Sequence, residues 1–357
     1  MNRKKKRVLI IGSDSSVKGG ITSVINSFLQ NSWENIEIDL LPTYINENPL
    51  KKILFFLKFL IKYIVKILKN EFDIIHVHMS YKGSFYRKFI VIKISKIFKK
   101  KSVLHLHGSE FEVFYKSSSK YVKKLITDIF MMSDCVIVLG ERWLNFIKKI
   151  APEANIQVFN NAVKVPKYTV KYNKECTNIL FLGVLIKRKG IYDLIEAINL
   201  LNHMDITNKK KVKFIIGGTG KEEEGVRSLI MKYNLNNCID MVGWVDGTKK
   251  EKLLKECNVF VLPSYNEGLP IAILEAISFG IPVISTTVGS IDEAVIHNSN
   301  GYLFKPGDIG TLIKYICKIL EDDSEWRKFS KESKNIAYSK FNITNYFKKI
   351  EEIYNNL

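Results

Sequence analysis

The chain has 357 residues, 46% apolar and 25% charged, with a formal net charge of +19. These numbers predict two globular domains with real cores and exclude a disordered or low-complexity protein. No stretch approaches the roughly 20 uninterrupted apolar residues of a spanning helix, and the five scattered cysteines form no Cys-x-x-Cys pair, which speaks against a zinc site or disulfide framework and fits a reducing compartment.

The basic start, "MNRKKKRVLIIGSDSS", carries an apolar run too short for a signal-peptide core, so it predicts a first buried strand. "IEIDLL", "DIIHVH", "SVLHLH", "CVIVLG" and "IQVF" follow as further strands, separated by amphipathic segments long enough for helices. That alternation predicts a mostly parallel sheet covered on both faces. A polar stretch without regular periodicity, "NNAVKVPKYTVKYNKECT", reads as a linker. The alternation then restarts with "NILFLG", "VKFIIGG", "CIDMVG", "VFVLP", "PVIST" and "GYLF", and from about Asp308 the chain is helical. The expected division is 1–166, 167–335, and a C-terminal helical segment 336–357 packing back on the first domain. Ligands of open α/β sheets bind beyond the carboxyl ends of the strands. Two such domains facing each other would form a cleft.

Charge is uneven. Residues 1–166 hold 28 Lys/Arg against 13 Asp/Glu, and residues 167–357 hold 27 against 23, so the excess is +15 in the first part and +4 in the second. A third of the first part's excess lies in "PLKKILFFLKFLIKYIVKILKNEF", where Lys58, Lys62 and Lys66 recur at four-residue spacing, with Lys51 and Lys69 near the same face. Such a helix suits an anionic membrane surface; the plainer alternative is a domain helix with a large buried face. A basic balance alone does not make a nucleic-acid protein, and no aromatic–basic stacking surface is evident.

Several short motifs could carry chemistry. "GSDSSVKGGITSVINSFL" places Gly19 and Gly20 ahead of a helix but is not Gly-x-Gly-x-x-Gly. His76 and His78 alternate along one strand, as do His105 and His107, which puts each pair on one strand face. Metal binding there lacks an acidic or cysteine partner, and the commoner fate of such residues is packing. No Asp-x-Asp occurs. "GGTGKEEEG" has Gly218 in a tight turn but lacks the Ser/Thr and spacing of a P-loop. The segment "PSYNEGLPIAILEAISFGIPVIST" holds two carboxylates, Glu267 and Glu275, in otherwise apolar surroundings. Pro270 fits a first helical turn, Gly280 a stop, and the free N–H groups of that helix suit an anion. A buried Glu275 must be paired or hydrogen-bonded. An internal ion pair and a ribose diol are the two candidate partners.

The last segment resembles the glutamate-pair motif of family 4 of the retaining glycosyltransferases, and the likeness extends over nearly the whole chain, best from Ile179 to Asp308. It implies a GT-B fold: α/β, two Rossmann-like doubly wound domains facing across a cleft. By that resemblance Glu275 binds the nucleotide ribose, Glu267 lies by the donor sugar, and the Gly268 and Leu269 amides face sugar and diphosphate. "ILFLGVLIKRKG" matches the family's first strand and loop of the C-terminal domain, with Lys189 as its phosphate lysine. The family's arginine after the strand glycine is replaced by Val184, and Arg188 or Lys187 is the substitute, Arg188 favoured for its planar fork. Gly19 and Gly20 resemble the glycine loop facing the diphosphate, Gly218 the second glycine turn, Trp244 the segment beside the base, and His107 the histidine contacting the donor sugar. The implied activity is transfer of a sugar from a nucleotide-diphosphate donor to a hydroxyl of a glycan or lipid-linked acceptor, with no cofactor, metal or nucleic acid, from the cytoplasmic side of the membrane. A nucleotide-sugar epimerase, a sugar phosphorylase, or a GT-B subunit that binds without turnover are the alternatives on the same fold.

Overall fold

The structure, a computed structural model, describes residues 5–173, 175–204 and 211–357. Met1–Lys4 of the basic start and Lys174 of the expected linker therefore lie outside the described residues. The chain divides into two compact units, Met1–Asn161 with Thr344–Leu357, and Ala162–Ile343. The expected boundaries were 166/167 and 335/336. Val163 and the residues around Asn342 explain the difference: Val163 N donates to Phe341 O at 2.9 Å and Ile343 N to Val163 O at 3.0 Å, which ties both crossings to the second unit.

The first unit alternates β1 (Lys6–Gly12), α1 (Gly20–Gln30), β2 (Ile36–Pro42), α2 (Pro49–Leu68), β3 (Ile74–Met79), α3 (Gly83–Ile97) and β4 (Lys101–Leu106). It continues through α4 (Phe111–Ser117), α5 (Lys120–Met132), β5 (Cys135–Val138), α6 (Glu141–Ile150) and β6 (Ile156–Val158). Its parallel sheet has the order β2-β1-β3-β4-β5-β6. β3 is buried along its whole length, which is why it reads as an unbroken apolar run interrupted only by histidines.

The second unit runs β7 (Cys176–Leu182), a 3₁₀ turn at Lys187–Lys189, α7 (Ile191–Asn202), β8 (Lys211–Gly217), α8 (Glu223–Lys232), β9 (Ile239–Gly243) and α9 (Gly247–Glu256). Then come β10 (Val259–Leu262), α10 (Ile271–Ser278), β11 (Val283–Thr286), α11 (Ile291–Ala294), β12 (Gly301–Phe304), α12 (Ile309–Glu321) and α13 (Asp323–Lys340). The sheet order is β12-β11-β10-β7-β8-β9, again parallel. Strand order reverses between β7 and β10 here, and between β1 and β3 in the first unit. Each reversal opens a crevice at the carboxyl ends of two adjacent strands whose connections leave to opposite sides, so each unit has one favoured ligand position.

The last helix, α14 (Ile343–Asn356), returns to the first unit from Thr344 onward. Tyr346 and Phe347 meet Phe28 edge-to-face, Phe347 meets Trp33, and the Tyr354 hydroxyl lies 2.5 Å from His76 Nδ1. Lys6 Nζ donates to the Tyr354 carbonyl at 2.7 Å near the helix end, where cations offset the helix dipole.

α2 forms where the sequence places it. The Asn48 side chain accepts from Lys51 N at 2.9 Å, and Pro49 opens the helix. Phe59, Tyr63 and Ile67 face the core, with Phe56, Phe59, Tyr63 and Phe72 stacked in a row. One expectation is corrected. Lys66 does not share the outward lysine face: its ammonium bridges Asp39 and Glu71, both at 2.9 Å. Helical geometry turns Lys66 inward by roughly 60° from the mean direction of Lys51, Lys58, Lys62 and Lys69, at roughly 100° per residue.

Candidate active site at the carboxyl ends of the strands

In the second unit the crevice between β7 and β10 is built by backbone first. β7 ends in Gly183, and the chain turns through Lys187–Lys189 to Gly190, which has φ of 68°. A Cβ on Gly190 would fall 1.8 Å from the Pro263 carbonyl oxygen, so only glycine lets this basic turn lie against the end of β10. Tyr265 N then donates to Arg188 O at 2.8 Å, and Arg188 Nη1 donates to Asn266 O at 2.6 Å. From the other side, Ser290 N donates to Gly268 O at 2.8 Å. Gly289, with φ of 65°, permits that approach, because its Cβ would meet the Glu267 carbonyl oxygen at 2.2 Å.

This frame fixes Glu267. Its Oε1 accepts from Lys189 Nζ at 2.5 Å and from Ser264 Oγ at 2.7 Å, while Thr286 Oγ1 donates to Ser264 O at 2.5 Å. Glu267 is 7% exposed and the Lys189 side chain 16%. Two charges so placed are costly to desolvate, and removing one partner would leave the other buried and unpaired. The pair stands at the strand-order reversal between β7 and β10, the position where open α/β sheets hold ligands.

α10 begins directly after this loop. Pro270 has φ −66° and ψ 123°, so it stands just before the helix instead of within its first turn, and no side chain caps the start. Gly280 ends the helix with φ of 76°. Glu275, in the second turn, accepts from Lys250 Nζ of α9 at 2.5 Å. Burial pushes its carboxyl above the ordinary carboxylate range, and Lys250 offsets this only in part. Of the two partners the sequence left open, the structure supplies the internal lysine.

The ends of β7, β8 and β9 are tied side by side. Gly183 N donates to Gly217 O at 3.0 Å and Gly218 N to Gly243 O at 2.7 Å. Gly218 has φ of 152°, and a Cβ there would lie 1.8 Å from the Gly183 oxygen, so its glycine is demanded by packing of these loops. Trp244 follows β9, with its indole N–H on Asp246 at 3.2 Å. Gly243 and Gly247 around it have φ of 72° and 50° with open space where a Cβ would go. Val184 is half-buried and brings no cation. Leu269 is buried beneath the loop. A shallow pocket lined by Tyr172, Asn178 and Asn258 opens at the opposite, amino end of β7, away from the position where such sheets hold ligands.

In the first unit, Gly19 has φ of 153° and stands before α1, whose start carries no side-chain cap. No atom lies within 4 Å of a Cβ added at Gly19 or Gly20, so packing does not account for either glycine. Across the reversal, β3 and β4 set four histidines in a ladder. His76 Nε2 is 3.2 Å from His105 Nδ1, and His78 Nδ1 is 2.8 Å from His107 Nε2. Burial holds His76 and His107 at about 3, and His78 and His105 also well below the ordinary value, so all four are neutral at pH 7. Of the four, His107 stands at the carboxyl end, half-buried. The nitrogens of His76, His78 and His105 lie within 4.8 Å of one another, and His78 Nε2 and His105 Nε2 have no hydrogen-bond partner. Nearby, Nζ of fully buried Lys88 donates to Thr43 Oγ1, which donates to Gly12 O at 3.0 Å.

The structure thus joins Lys189, Arg188, Glu267 and Gly268 in one loop cluster, sets Glu275 and Trp244 on neighbouring elements of the same unit, and places Gly19, Gly20 and His107 at the strand ends of the first. Sequence reading missed Ser264, Thr286 and Lys250. Ser264 lies three residues before Glu267 and could have been suspected; Lys250 is one of several lysines on a polar helix and carries no signal.

Residues 168–336 match the family model for glycosyl transferases group 1. The chain is 25% identical over 280 residues to the amylovoran biosynthesis glycosyltransferase AmsK of Erwinia amylovora, covering 75% of this chain and 67% of that protein. It is 28% identical over 318 residues to the UDP-Gal:alpha-D-GlcNAc-diphosphoundecaprenol alpha-1,3-galactosyltransferase of Escherichia coli, covering 81% and 77%. Among solved structures, Anabaena HepE in complex with UDP superposes with a TM-score of 0.77 at 17% identity, covering 98% of this chain and 100% of that one. At that identity the likeness concerns the fold alone, which is GT-B.

Proposed function

The chain belongs to the group 1 glycosyl transferases, and from that premise we propose that it is a retaining, metal-independent enzyme using a nucleotide-diphosphate sugar in surface polysaccharide assembly. The observation that carries this reading is the Lys189–Glu267 pair at the β7/β10 crevice, beside the uncapped start of α10. As the glycosidic bond breaks, its electron pair passes to the diphosphate. Lys189, helped by Arg188 and the amides of Gly268 and Leu269, stabilises the growing charge more in the transition state than before it. Glu267, braced by Ser264, orients the donor sugar. The acceptor oxygen bonds to the anomeric carbon, and its proton leaves through a diphosphate oxygen. Glu275 and Trp244 hold ribose and base. Within the first unit, Gly19 and Gly20 leave open space at the start of α1, and His107, kept neutral by burial, is a hydrogen-bonding group at a strand end.

The acceptor is a glycan on a lipid carrier, met at the inner face of the cell membrane. Two observations support this: the E. coli relative is named for a diphosphoundecaprenol-linked acceptor, and positive charge is concentrated in the first unit. Val184 favours a second reading, a GT-B subunit that binds sugar nucleotide without turnover, because the residue beside Gly183 supplies no cation. Incubating the protein with nucleotide sugars, with and without a polyprenyl-diphosphate-linked glycan, separates the readings. The proposal requires acceptor-dependent release of nucleoside diphosphate. Tight nucleotide-sugar binding with no transfer to any acceptor supports the second reading, and conversion of the donor alone indicates an epimerase.

A further inference from the structure

α2 exposes a seam that the fold leaves uncovered. Leu50, Leu54, Leu57, Ile61, Ile64 and Leu68 follow one another at alternating steps of four and three residues, which places them within roughly 40° of one line on the helix. Leu50, Ile61 and Leu68 are 67%, 66% and 68% exposed, and all six are among the exposed large hydrophobics. Scattered exposed leucines need no explanation, but a contiguous row along a helix of 20 residues does. The opposite face of α2 already fills its place in the core through Phe59, Tyr63 and Ile67.

Two occupants could cover such a row: a second copy of this helix or the apolar layer of a membrane. Charge decides between them. Lys51, Lys58, Lys62 and Lys69 form a column along one flank of the seam, and α2 contains no acidic residue. Among the described residues, Lys58, Lys62 and Lys69 make no ion pair; Lys51 meets Glu47 at 3.2 Å, before the helix. Two copies packed seam to seam would bring lysine columns to the joint with no carboxylate on either helix to oppose them, whereas natural helix pairs flank the seam with opposite charges. A surface of phospholipid headgroups supplies the missing anions, and its acyl boundary the missing apolar cover. Exposed Ile97 ends α3, with exposed Phe98 and Lys99 directly after it, and α3 lies beside the same helix, since Ser95 Oγ lies 2.5 Å from Tyr63 OH. Among the described residues no helix is long and apolar enough to cross a membrane, so the contact is interfacial.

We infer that α2 is a membrane-docking helix, its Leu/Ile seam entering the acyl boundary of an anionic bilayer with the lysine column on the headgroup phosphates. The docking stands on α2 itself; only its purpose, delivery of a lipid-linked acceptor, rests on the glycosyltransferase reading. The experiment is co-sedimentation of the full chain with phosphatidylcholine vesicles lacking or containing phosphatidylglycerol, alongside light scattering for oligomeric state. The expected result is binding to the anionic vesicles only, weakened by salt and lowered about tenfold or more by Ile61→Glu and by Lys58→Glu with Lys62→Glu. Both variants change exposed side chains, and unaltered circular dichroism with unaltered nucleotide binding verifies their fold. No binding to anionic vesicles at low salt overturns the inference, as does equal binding to both vesicle types. A dimer in solution that Ile61→Glu splits also overturns it, assigning the seam to a second copy. Nucleotide binding by the unaltered protein is read separately, so its absence there indicts the proposed function and not the docking.

Discussion

In the proposed mechanism a single ammonium at Lys189 would serve two partners in succession. It pairs with Glu267 at 2.5 Å, and on the proposed function it would face the leaving diphosphate once the donor is bound. Lys189→Ala is expected to lower kcat by two or more orders of magnitude, because a donor aimed at developing charge contributes about 3–4 kcal/mol. Near wild-type turnover by Lys189→Ala would contradict the role. The same change leaves Glu267 buried with Ser264 as its remaining side-chain donor, so thermal unfolding should also move to lower temperature. Glu275→Gln tests the ribose assignment. It keeps the shape but not the charge-assisted hydrogen bonds, worth about 1.5–3 kcal/mol each, so the nucleoside diphosphate Kd should rise roughly tenfold or more. A Kd unchanged in calorimetry would leave Glu275 as the structural partner of Lys250. Residues of this kind were legible where composition made them anomalous: two carboxylates in an apolar stretch, a basic turn between glycines. Lys250 was not legible, because its neighbours Lys249 and Lys252 look the same in sequence and only its ion pair with Glu275 in the fold singles it out.

Among the described residues, the twelve strands fall where the apolar runs placed them; β3, β5, β10 and β11 are buried throughout and leave the continuous runs that parallel strands leave. The histidines of β3 and β4 were legible as same-face pairs, but their union into one ladder depends on strand register, with His78 opposite His105, which no local pattern encodes. That ladder predicts a pH response. Burial depresses the folded pKa of His76 and His107 to about 3, below the 6.5 of an unfolded histidine. The unfolded chain therefore binds more protons below pH 6.5, and stability that is full above that pH falls progressively as pH drops toward 3. Between pH 7 and 5 each of these two histidines should cost about 2 kcal/mol. Urea unfolding of the wild type and of His76→Gln at both pH values checks this. The His76→Gln difference between pH 7 and 5 should be smaller than that of the wild type, and equal differences would show that the ladder does not govern acid sensitivity.

For the whole molecule, two sheets with a strand-order reversal each are what the alternating pattern could promise and strand order alone could deliver. The sequence showed twelve strands and their connecting helices. It did not show that β7 adjoins β10, and it is this adjacency that brings the Lys187–Lys189 turn to Glu267 across 78 residues of chain. The departures at Asn161 and Thr344 have the same origin, since short backbone bridges from Val163 to Phe341 and Ile343 join segments far apart in sequence. The central claim is that a nucleoside diphosphate occupies the β7/β10 crevice of the second unit. Crystals of the chain grown with UDP test it most directly. The account predicts phosphates against Lys189 and the first turn of α10, ribose hydroxyls on Glu275, and the base beside Trp244. A nucleotide bound at any other place, or one at this place with Glu275 engaged only by Lys250, would contradict it.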